Sequence, residues 1–299
     1  MQTSASCRFL SSRIIGGLLV LLLSVWLLSG CSLVRLGYQQ LPDLSYWWVD
    51  SYLDLDDAQG TALRRDLAAV HDWHRRSELP LLAQWLASLH SQALQDVTPE
   101  RLCQRVDELR PRLQALLDQA EPGFATLAAG LKPGQLLHLQ QQLAKRRQKW
   151  REDWLDGSAA ARLQRRVDRL IDRAENFFGP LDAPQRALLR SRIEASRLDL
   201  ALAEAEMLRR QQDLQQTLQT VVRDGLSGER ARAAIRQLQI RLTDSPHAGY
   251  REHIAQLTIE NCQTFAALHN SSSSAQRQQL KETLQGFEAD ARALMPARR

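Results

Sequence analysis

Three stretches of this sequence share one local pattern, and each precedes a long segment with helical apolar spacing. They are Val97-Thr98-Pro99-Glu100-Arg101, Leu131-Lys132-Pro133-Gly134-Gln135 and Leu181-Asp182-Ala183-Pro184-Gln185, with a fainter echo in Ser274-Ala275-Gln276. An apolar residue, a capping side chain and a proline in the first turn are typical of a helix N-terminus. These stretches therefore predict that long helices begin here.

Helix-forming residues dominate the rest of the chain, which has only 14 glycines among 299 residues. Apolar residues recur at helical spacing between the predicted helix starts. Ser158 should cap a helix that ends near Phe178. Asp182 should cap the longest helix, which we expect to reach about Asp224.

Prolines should interrupt this helical pattern. We expect Pro111 to kink a helix and Pro122-Gly123 to form a turn. No segment has the alternation that is typical of a strand. We therefore predict an all-α fold for residues 44–299, either an antiparallel multi-helix bundle or an elongated helical cradle.

Residues 1–30 have the three zones of a secretory signal. Arg8 and Arg13 are the only charges before an apolar run over residues 14–28, which ends at Leu28-Ser29-Gly30-Cys31. A helix that spans a bilayer needs about 20 apolar residues, and this run is shorter. The alternative is a permanent transmembrane helix that carries Cys31 by chance.

The same segment resembles bacterial lipoprotein signal peptides, in which a leucine and small residues precede the lipidated cysteine. The resemblance implies that Cys31 carries lipid and becomes the mature N-terminus, with residues 31–43 as a tether. Two or three acyl chains hold a protein stably on a membrane. Ser32 follows, where an aspartate would imply inner-membrane retention. We therefore expect an outer-membrane protein that faces the periplasm of a Gram-negative bacterium.

The charge balance argues against a nucleic-acid partner. Removing residues 1–30 takes away two arginines and no acid, and lowers the formal net charge from +5 to +3. This excess is small for a chain of this length, whereas nucleic-acid binders are usually strongly basic.

Two cysteines remain in the predicted mature body, Cys103 and Cys262. An oxidising periplasm would allow them to form a disulfide. They could equally be two buried free cysteines, since free cysteine packs as a small hydrophobe. No pair of cysteines or histidines has the spacing of a zinc site.

A further resemblance covers about fifty residues of the N-terminal half. Its pattern comprises Arg35-Leu36-Gly37-Tyr38, Tyr46-Trp47-Trp48 with Asp50, Tyr52 and Leu55, then Gln59, Trp73-His74-Arg75-Arg76 and Glu78-Leu79-Pro80. This pattern resembles an uncharacterised family of proteobacterial lipoproteins. The resemblance implies a helical, membrane-anchored protein and names no activity.

The helix-start stretches also resemble the Leu-Thr-x-x-Gln motifs of small periplasmic chaperones. Those proteins are cradles of long helices that bind unfolded clients. Local helix capping explains the same residues, and we favour that interpretation.

His71, His74 and Glu78 lie three, four and seven positions apart and would share one face of a helix. Metal sites use such spacing. The alternative is that this segment packs against the junction at Pro80. We predict no other cofactor and no catalytic residue.

Two further clusters attract attention. The first is a basic run, which would suit an anionic partner or form an ordinary solvated face. Its members are Lys145, Arg146, Arg147, Lys149 and Arg151. The second is an aromatic set that would suit a membrane interface or the first layer of the core. Its members are Tyr46, Trp47, Trp48 and Tyr52, most of which we assign to the core.

These observations favour a lipid-anchored periplasmic protein that binds an envelope partner through helical surfaces. One alternative is a chaperone-like holdase for exported proteins. Another is a metal-dependent envelope enzyme that uses His71, His74 and Glu78. An exposed concave face would favour the holdase, and convergent histidines and carboxylates would favour the enzyme.

Overall fold

The computed structural model describes residues 29–297, with side chains from residue 34. This part of the chain contains thirteen α-helices and no strand, which confirms the all-α prediction. The helices are α1 Ser29–Gln39, α2 Leu41–Leu53, α3 Asp57–Trp73, α4 Leu79–His90, α5 Pro99–Asp107, α6 Arg110–Ala129, α7 Pro133–Trp154, α8 Ala159–Phe178, α9 Ala183–Glu194, α10 Leu200–Arg223, α11 Gly228–Thr243, α12 Ala248–Asn270 and α13 Ser274–Leu294.

The predicted helix starts are confirmed at each of the three stretches. Thr98 Oγ1 accepts the Arg101 N–H at the start of α5, and Asp182 Oδ1 accepts the Gln185 N–H at the start of α9. At the start of α7, Gln135 Oε1 accepts the N–H of Lys132 at 2.9 Å. Each cap satisfies a backbone N–H group that the first turn of a helix leaves free.

The prediction of one long helix over residues 182–224 is wrong, because the helix is interrupted between α9 and α10. Glu260 of α12 accepts hydrogen bonds from the Ser196 hydroxyl and the Arg197 N–H, both at 3.2 Å. Asp199 then caps α10 by accepting the Leu202 N–H. The polar groups of 195–199 thus bond elsewhere than in a continuous helix.

The predictions of a kink at Pro111 and of a turn at Pro122-Gly123 have different outcomes. Near Pro111 the helix ends altogether, since α5 stops at Asp107 and α6 starts at Arg110. The turn expected at Pro122-Gly123 is wrong, because Pro122 lies inside α6. Thr126 Oγ1 donates to the Pro122 carbonyl oxygen at 2.9 Å within this helix.

Four glutamines at the third position of a helix pair into two reciprocal clasps. Each side-chain amide of Gln59 and Gln135 donates to the other's Oε1, at 3.1 and 2.7 Å. Gln185 and Gln276 do the same, at 2.8 Å in both directions. Each glutamine also accepts the N–H of its own cap residue through Oε1.

The second amide hydrogen of each glutamine is bonded in the same way in both clasps. Each Nε2 also donates to the carbonyl oxygen two residues before the partner's cap. These acceptors are Gly130, Asp54, Ser271 and Pro180. Each clasp therefore holds together two helix N-termini that are far apart in the sequence.

The two clasps mark two halves of the chain that share one plan, α2–α7 and α8–α13. In the first half α2 packs on α3 and α7, and α3 packs on α6. In the second half α8 packs on α9 and α13, and α9 packs on α12. The third and fourth helices cross over, since α4 and α5 pack on α13 and α12, while α10 and α11 pack on α7 and α6.

The core follows this division. One apolar cluster is built around Val221 and Leu139 and draws on α2, α3, α6, α7, α10 and α11. A second is built around Leu189 and Leu268, from α8, α9 and α12, and smaller clusters join α4 to α13. The third and fourth helices of the second half, α10 and α11, therefore fill the core of the first half, and α4 of the first half packs in smaller clusters against α13 of the second.

Cys103 of α5 and Cys262 of α12 form a disulfide, with the two Cα atoms 5.6 Å apart. The bridge joins residues 159 positions apart, and it lies where α5 packs on α12.

We predict that Gln185→Ala and Gln185→Glu both lower the free energy of unfolding by about 1 to 3 kcal/mol, because each leaves buried clasp groups without partners. A carboxylate can still accept the Asp182 N–H, but it cannot donate to Gln276 Oε1. Denaturant unfolding measures the loss, with exposed Gln278→Ala on α13 as the matched control. An unchanged unfolding midpoint for Gln185→Glu would contradict the clasp.

We also predict that Cys103→Ser/Cys262→Ser loses stability. The loop-entropy relation assigns about 5 kcal/mol to a bridge that closes a loop of this length. Denaturant unfolding of the oxidised wild type against the double variant measures the difference. A wild type that contains two free thiols after purification from an oxidising compartment would show that the bridge does not form.

Candidate functional site

The N-terminal helix α1 is docked on the body through Tyr38. The Tyr38 hydroxyl donates to His74 Nδ1 at 2.8 Å, and His71 Nε2 donates to the Tyr38 carbonyl oxygen at 3.1 Å. The Tyr38 ring packs against an apolar cluster that includes Leu79 and Leu294. The expected tether over residues 31–43 is therefore helical, and its C-terminal part is fixed to the bundle.

Two arginines complete this junction. Arg35 Nε donates to the buried carboxylate of Asp290 on α13 at 2.6 Å. Arg75 Nε donates to the Leu294 carbonyl oxygen at 2.8 Å, at the C-terminal end of α13. The helix α1 is thus joined both to α3 and to the last helix of the chain.

Burial sets the protonation states at the junction. It raises the pKa of Tyr38 to about 12, partly opposed by the positive charge of Arg75. It also lowers the pKa of His71 and of His74 below their usual value. At neutral pH the hydroxyl is therefore a donor and the His74 ring is a neutral acceptor.

A π turn over His74–Glu78 separates α3 from α4, and its N–H to C=O bond runs from Leu79 to His74. The wider turn comes directly before Pro80, which has no N–H and whose ring would crowd the carbonyl four residues earlier. The wider turn alters the angular register between His74 and Glu78.

The predicted metal set of His71, His74 and Glu78 does not come together. The two histidines bond to Tyr38, while Glu78 is buried and lies 3.5 Å from the guanidinium of Arg112. Within residues 34–297 no group of three His, Cys, Asp or Glu side chains is placed to hold a metal ion. The spacing reflects a packed junction.

The aromatic set divides between core and surface. Tyr46 and Tyr52 are half-buried against the first core cluster, as expected. Trp47 and Trp48 are 61% and 64% exposed, so the core assignment is wrong for both. Arg64 of α3 lies over the Tyr46 ring, 3.4 Å from its centroid, and 5.6 Å from that of Trp47.

A shallow open groove lies between α7, α10, α11 and α12, with a volume of about 420 Å³. We call it the α7–α10 groove. Its apolar lining residues are Trp150, Met207, Leu214, Leu242 and Tyr250.

Charged residues form one side of this groove. Glu206 is buried and accepts hydrogen bonds from Arg209, Arg210 and the Ser245 hydroxyl. Burial alone would raise the pKa of Glu206, but these three donors outweigh it and lower the pKa to about 2. The guanidinium of Arg210 lies 5.6 Å from the centroid of the Tyr250 ring, on the groove itself.

Part of the basic run on α7 flanks Trp150, which lines the same groove. Lys149 pairs with Asp153 at 3.0 Å, and Arg151 pairs with Glu204 of α10. Three exposed members of the run have no acidic side chain within 4.0 Å among the described residues. They are Lys145, Arg146 and Arg147. Arg146 and Arg147 lie four and three positions before Trp150, so they flank it on the helix surface.

The predicted signal over residues 1–30 lies almost wholly outside the described residues. The backbone of Cys31 is in α1, and its side chain also lies outside the description. None of the helices between residues 29 and 297 has the length and apolar character needed to span a membrane.

Sequence reasoning found part of this site. It singled out Tyr38 only as a member of a resembling pattern, and His74 and Glu78 also as part of a metal set, and it did not predict that Tyr38 joins both histidines. Asp290 and the groove-lining residues of α10–α12 were missed. The buried acid Asp290 carries no local sequence signal, because its partner Arg35 lies on α1, 255 positions away. Glu206 does have a local signal, since Arg209 and Arg210 follow it three and four positions later on α10.

The fold and these contacts define an all-helical bundle with a docked N-terminal helix and an open groove. Residues 51–251, more than half of the chain, match a family of unknown function, DUF6279. The chain belongs to this family. No curated protein and no solved structure matches the chain.

We predict that stability falls as the pH drops below about 6.5. The unfolded histidines protonate near that value, whereas the folded pKa values of His71 and His74 are lower, so the unfolded chain takes up protons first. The loss continues until the pH reaches the folded pKa values. Denaturant unfolding at pH 7.5 and 5.5 measures it.

The variant His71→Gln/His74→Asn keeps polar atoms close to the bonded ring nitrogens and cannot be protonated. It should show a smaller fall between the two pH values. Exposed His247→Asn is the matched control and should behave as the wild type does. An identical fall in the double variant would contradict the assignment.

Proposed function

We propose that the chain is a lipid-anchored periplasmic lipoprotein that presents a rigid helical body to an envelope partner. The lipid would be on Cys31, on the periplasmic side of the outer membrane of a proteobacterium. The single observation that carries the proposal is the docking of α1. This helix contains Cys31, and Tyr38 and Arg35 fix it to the body.

A flexible tether would let the body rotate freely over the membrane. The contacts of α1 with α3 and α13 support a fixed body instead, because they join the helix that leaves Cys31 to the body at two places, α3 and the C-terminal helix α13. A fixed body suits a protein that must offer one surface in a defined direction.

The α7–α10 groove is the surface that best suits a protein partner. Its apolar lining includes Trp150, Met207 and Tyr250, residue types that are common at interfaces. The unpaired charges of Arg146 and Arg147 flank Trp150 on the helix surface, and Lys145 precedes them on α7. The partner we infer is an envelope protein that offers an acidic segment with apolar or aromatic side chains.

Lipidation is tested on the full-length gene product in a Gram-negative host. Metabolic labelling with a clickable fatty acid should label the wild type and leave Cys31→Ser unlabelled. Mass spectrometry of the N-terminal peptide should show that the mature chain begins at Cys31. A chain that keeps residues 1–30 and an unmodified Cys31 would contradict the anchor.

Partner binding is tested by crosslinking in cells, followed by identification of the captured proteins. We expect one recurrent envelope protein, captured at least roughly tenfold less by Arg146→Glu/Arg147→Glu, which corresponds to 1.4 kcal/mol. Arg65→Glu/Arg110→Glu makes the same charge change at exposed sites on other helices and should leave capture unchanged. Capture of a broad set of exported proteins, in equal amounts by both variants, would favour the holdase. It would contradict the binding of one envelope partner.

A further inference from the structure

Six large apolar side chains are exposed on α1 and α2, in the seventeen residues that follow the predicted lipidation site. Their exposed fractions run from 42% to 64%. They are Val34, Leu36, Leu41, Leu44, Trp47 and Trp48. We call this set the outward face.

The outward face is continuous across the junction of the two helices. The Gln40 N–H donates to Leu36 O at 3.1 Å, and the Leu44 N–H donates to Gln40 O at 2.9 Å, so the helical bonds continue. Val34, Leu41 and Trp48 are spaced by sevens, which puts them on one side of a helix. Gly37 on the same side has no atom within 4 Å of the position of a Cβ.

The opposite side of the same helices already has its partners. Val49 and Leu53 are buried in the first core cluster, and Tyr38 packs under α1. A surface helix normally turns its apolar side inward and its charged side outward. Here both sides are apolar, so the outward face requires a partner that the fold does not supply.

Charge on the outward face is slight and compensated. Asp43 is its only acid, and Arg64 of α3 pairs with it at 3.0 Å. The same guanidinium lies over Tyr46 and near Trp47. A cation beside exposed tryptophans suits the phosphate layer of a membrane, where aromatic side chains also concentrate.

Position in the chain identifies the occupant. The outward face begins three residues after Cys31. At 1.5 Å per helical residue, Trp48 lies no more than about 25 Å along the helix from Cys31. A bilayer that holds Cys31 is therefore within reach of every member of the face.

We propose that α1 and α2 lie in the interfacial layer of the anchoring membrane, with the outward face toward the acyl chains. This inference rests on the proposed lipid anchor. Trp47 and Trp48 then sit at the boundary between headgroups and acyl chains, about 5–10 Å deep, as in other interfacial helices. The lipid fixes the protein at one point, and the outward face fixes its orientation.

The experiment uses the full-length protein purified from membranes and reconstituted in vesicles of phosphatidylethanolamine and phosphatidylglycerol. Some vesicles contain lipids brominated at defined depths, which quench tryptophan fluorescence at short range. We expect quenching to be strongest for bromines near the headgroup end of the acyl chains. Trp47→Phe/Trp48→Phe should lose this quenching and keep the wild-type unfolding midpoint, since both side chains are exposed.

Trp150→Phe/Trp154→Phe is the matched control, because it also removes two tryptophans, which lie one turn apart on α7. It should keep the quenching. Two results would overturn the proposal and leave the anchor intact. One is equal quenching in the wild type and in the Trp47→Phe/Trp48→Phe variant. The other is no quenching in a wild type that floats with the vesicles. A second copy or a protein bound on this face would give the latter result. A wild type that does not float would contradict both proposals.

Discussion

Two pairs of glutamine side-chain amides hold this fold together, and one member of each pair, Gln135 or Gln185, is buried. Each pair joins two helix N-termini that are 76 or 91 positions apart, and every donor and acceptor of the four amides has a partner. A side chain that caps its own helix and bonds to its counterpart cannot shift without leaving several polar groups unsatisfied. The clasps thus fix the crossing of α3 with α7 and of α9 with α13.

The repetition of the clasp explains the architecture of the chain. Each glutamine is followed at four and eight positions by leucine or isoleucine, so the clasp always stands above an apolar stripe. The two units exchange their third and fourth helices, so that each unit packs on the other. The disulfide between Cys103 and Cys262 lies on one of the exchanged contacts, between α5 and α12.

The sequence predicts local features well and long-range features poorly, for physical reasons. The starts of α5, α7, α8 and α9 depend on side chains within three residues, and all were predicted. The break before α10 depends on Glu260, more than sixty residues away, and was missed. The pairing of Gln59 with Gln135 has the same long-range character.

The candidate site shows the same limit. His71, His74 and Glu78 have metal-like spacing on a regular helix, but the π turn and Tyr38 give them other roles. Most of the aromatic set, to which Trp47 and Trp48 belong, was assigned to the core because large apolar side chains are usually buried. Both sides of α2 are apolar, and periodicity alone cannot tell which one faces the body.

The central claim is that the helix carrying Cys31 is part of the folded body. Hydrogen–deuterium exchange of the full-length protein, reconstituted in vesicles, tests it most directly at the amides of residues 35–39. If α1 is docked, these amides exchange as slowly as those of α2, because Tyr38 and Arg35 hold the helix closed. Exchange as fast as in an unstructured peptide, beside a protected α2, would show that α1 is a free tether and would contradict the claim.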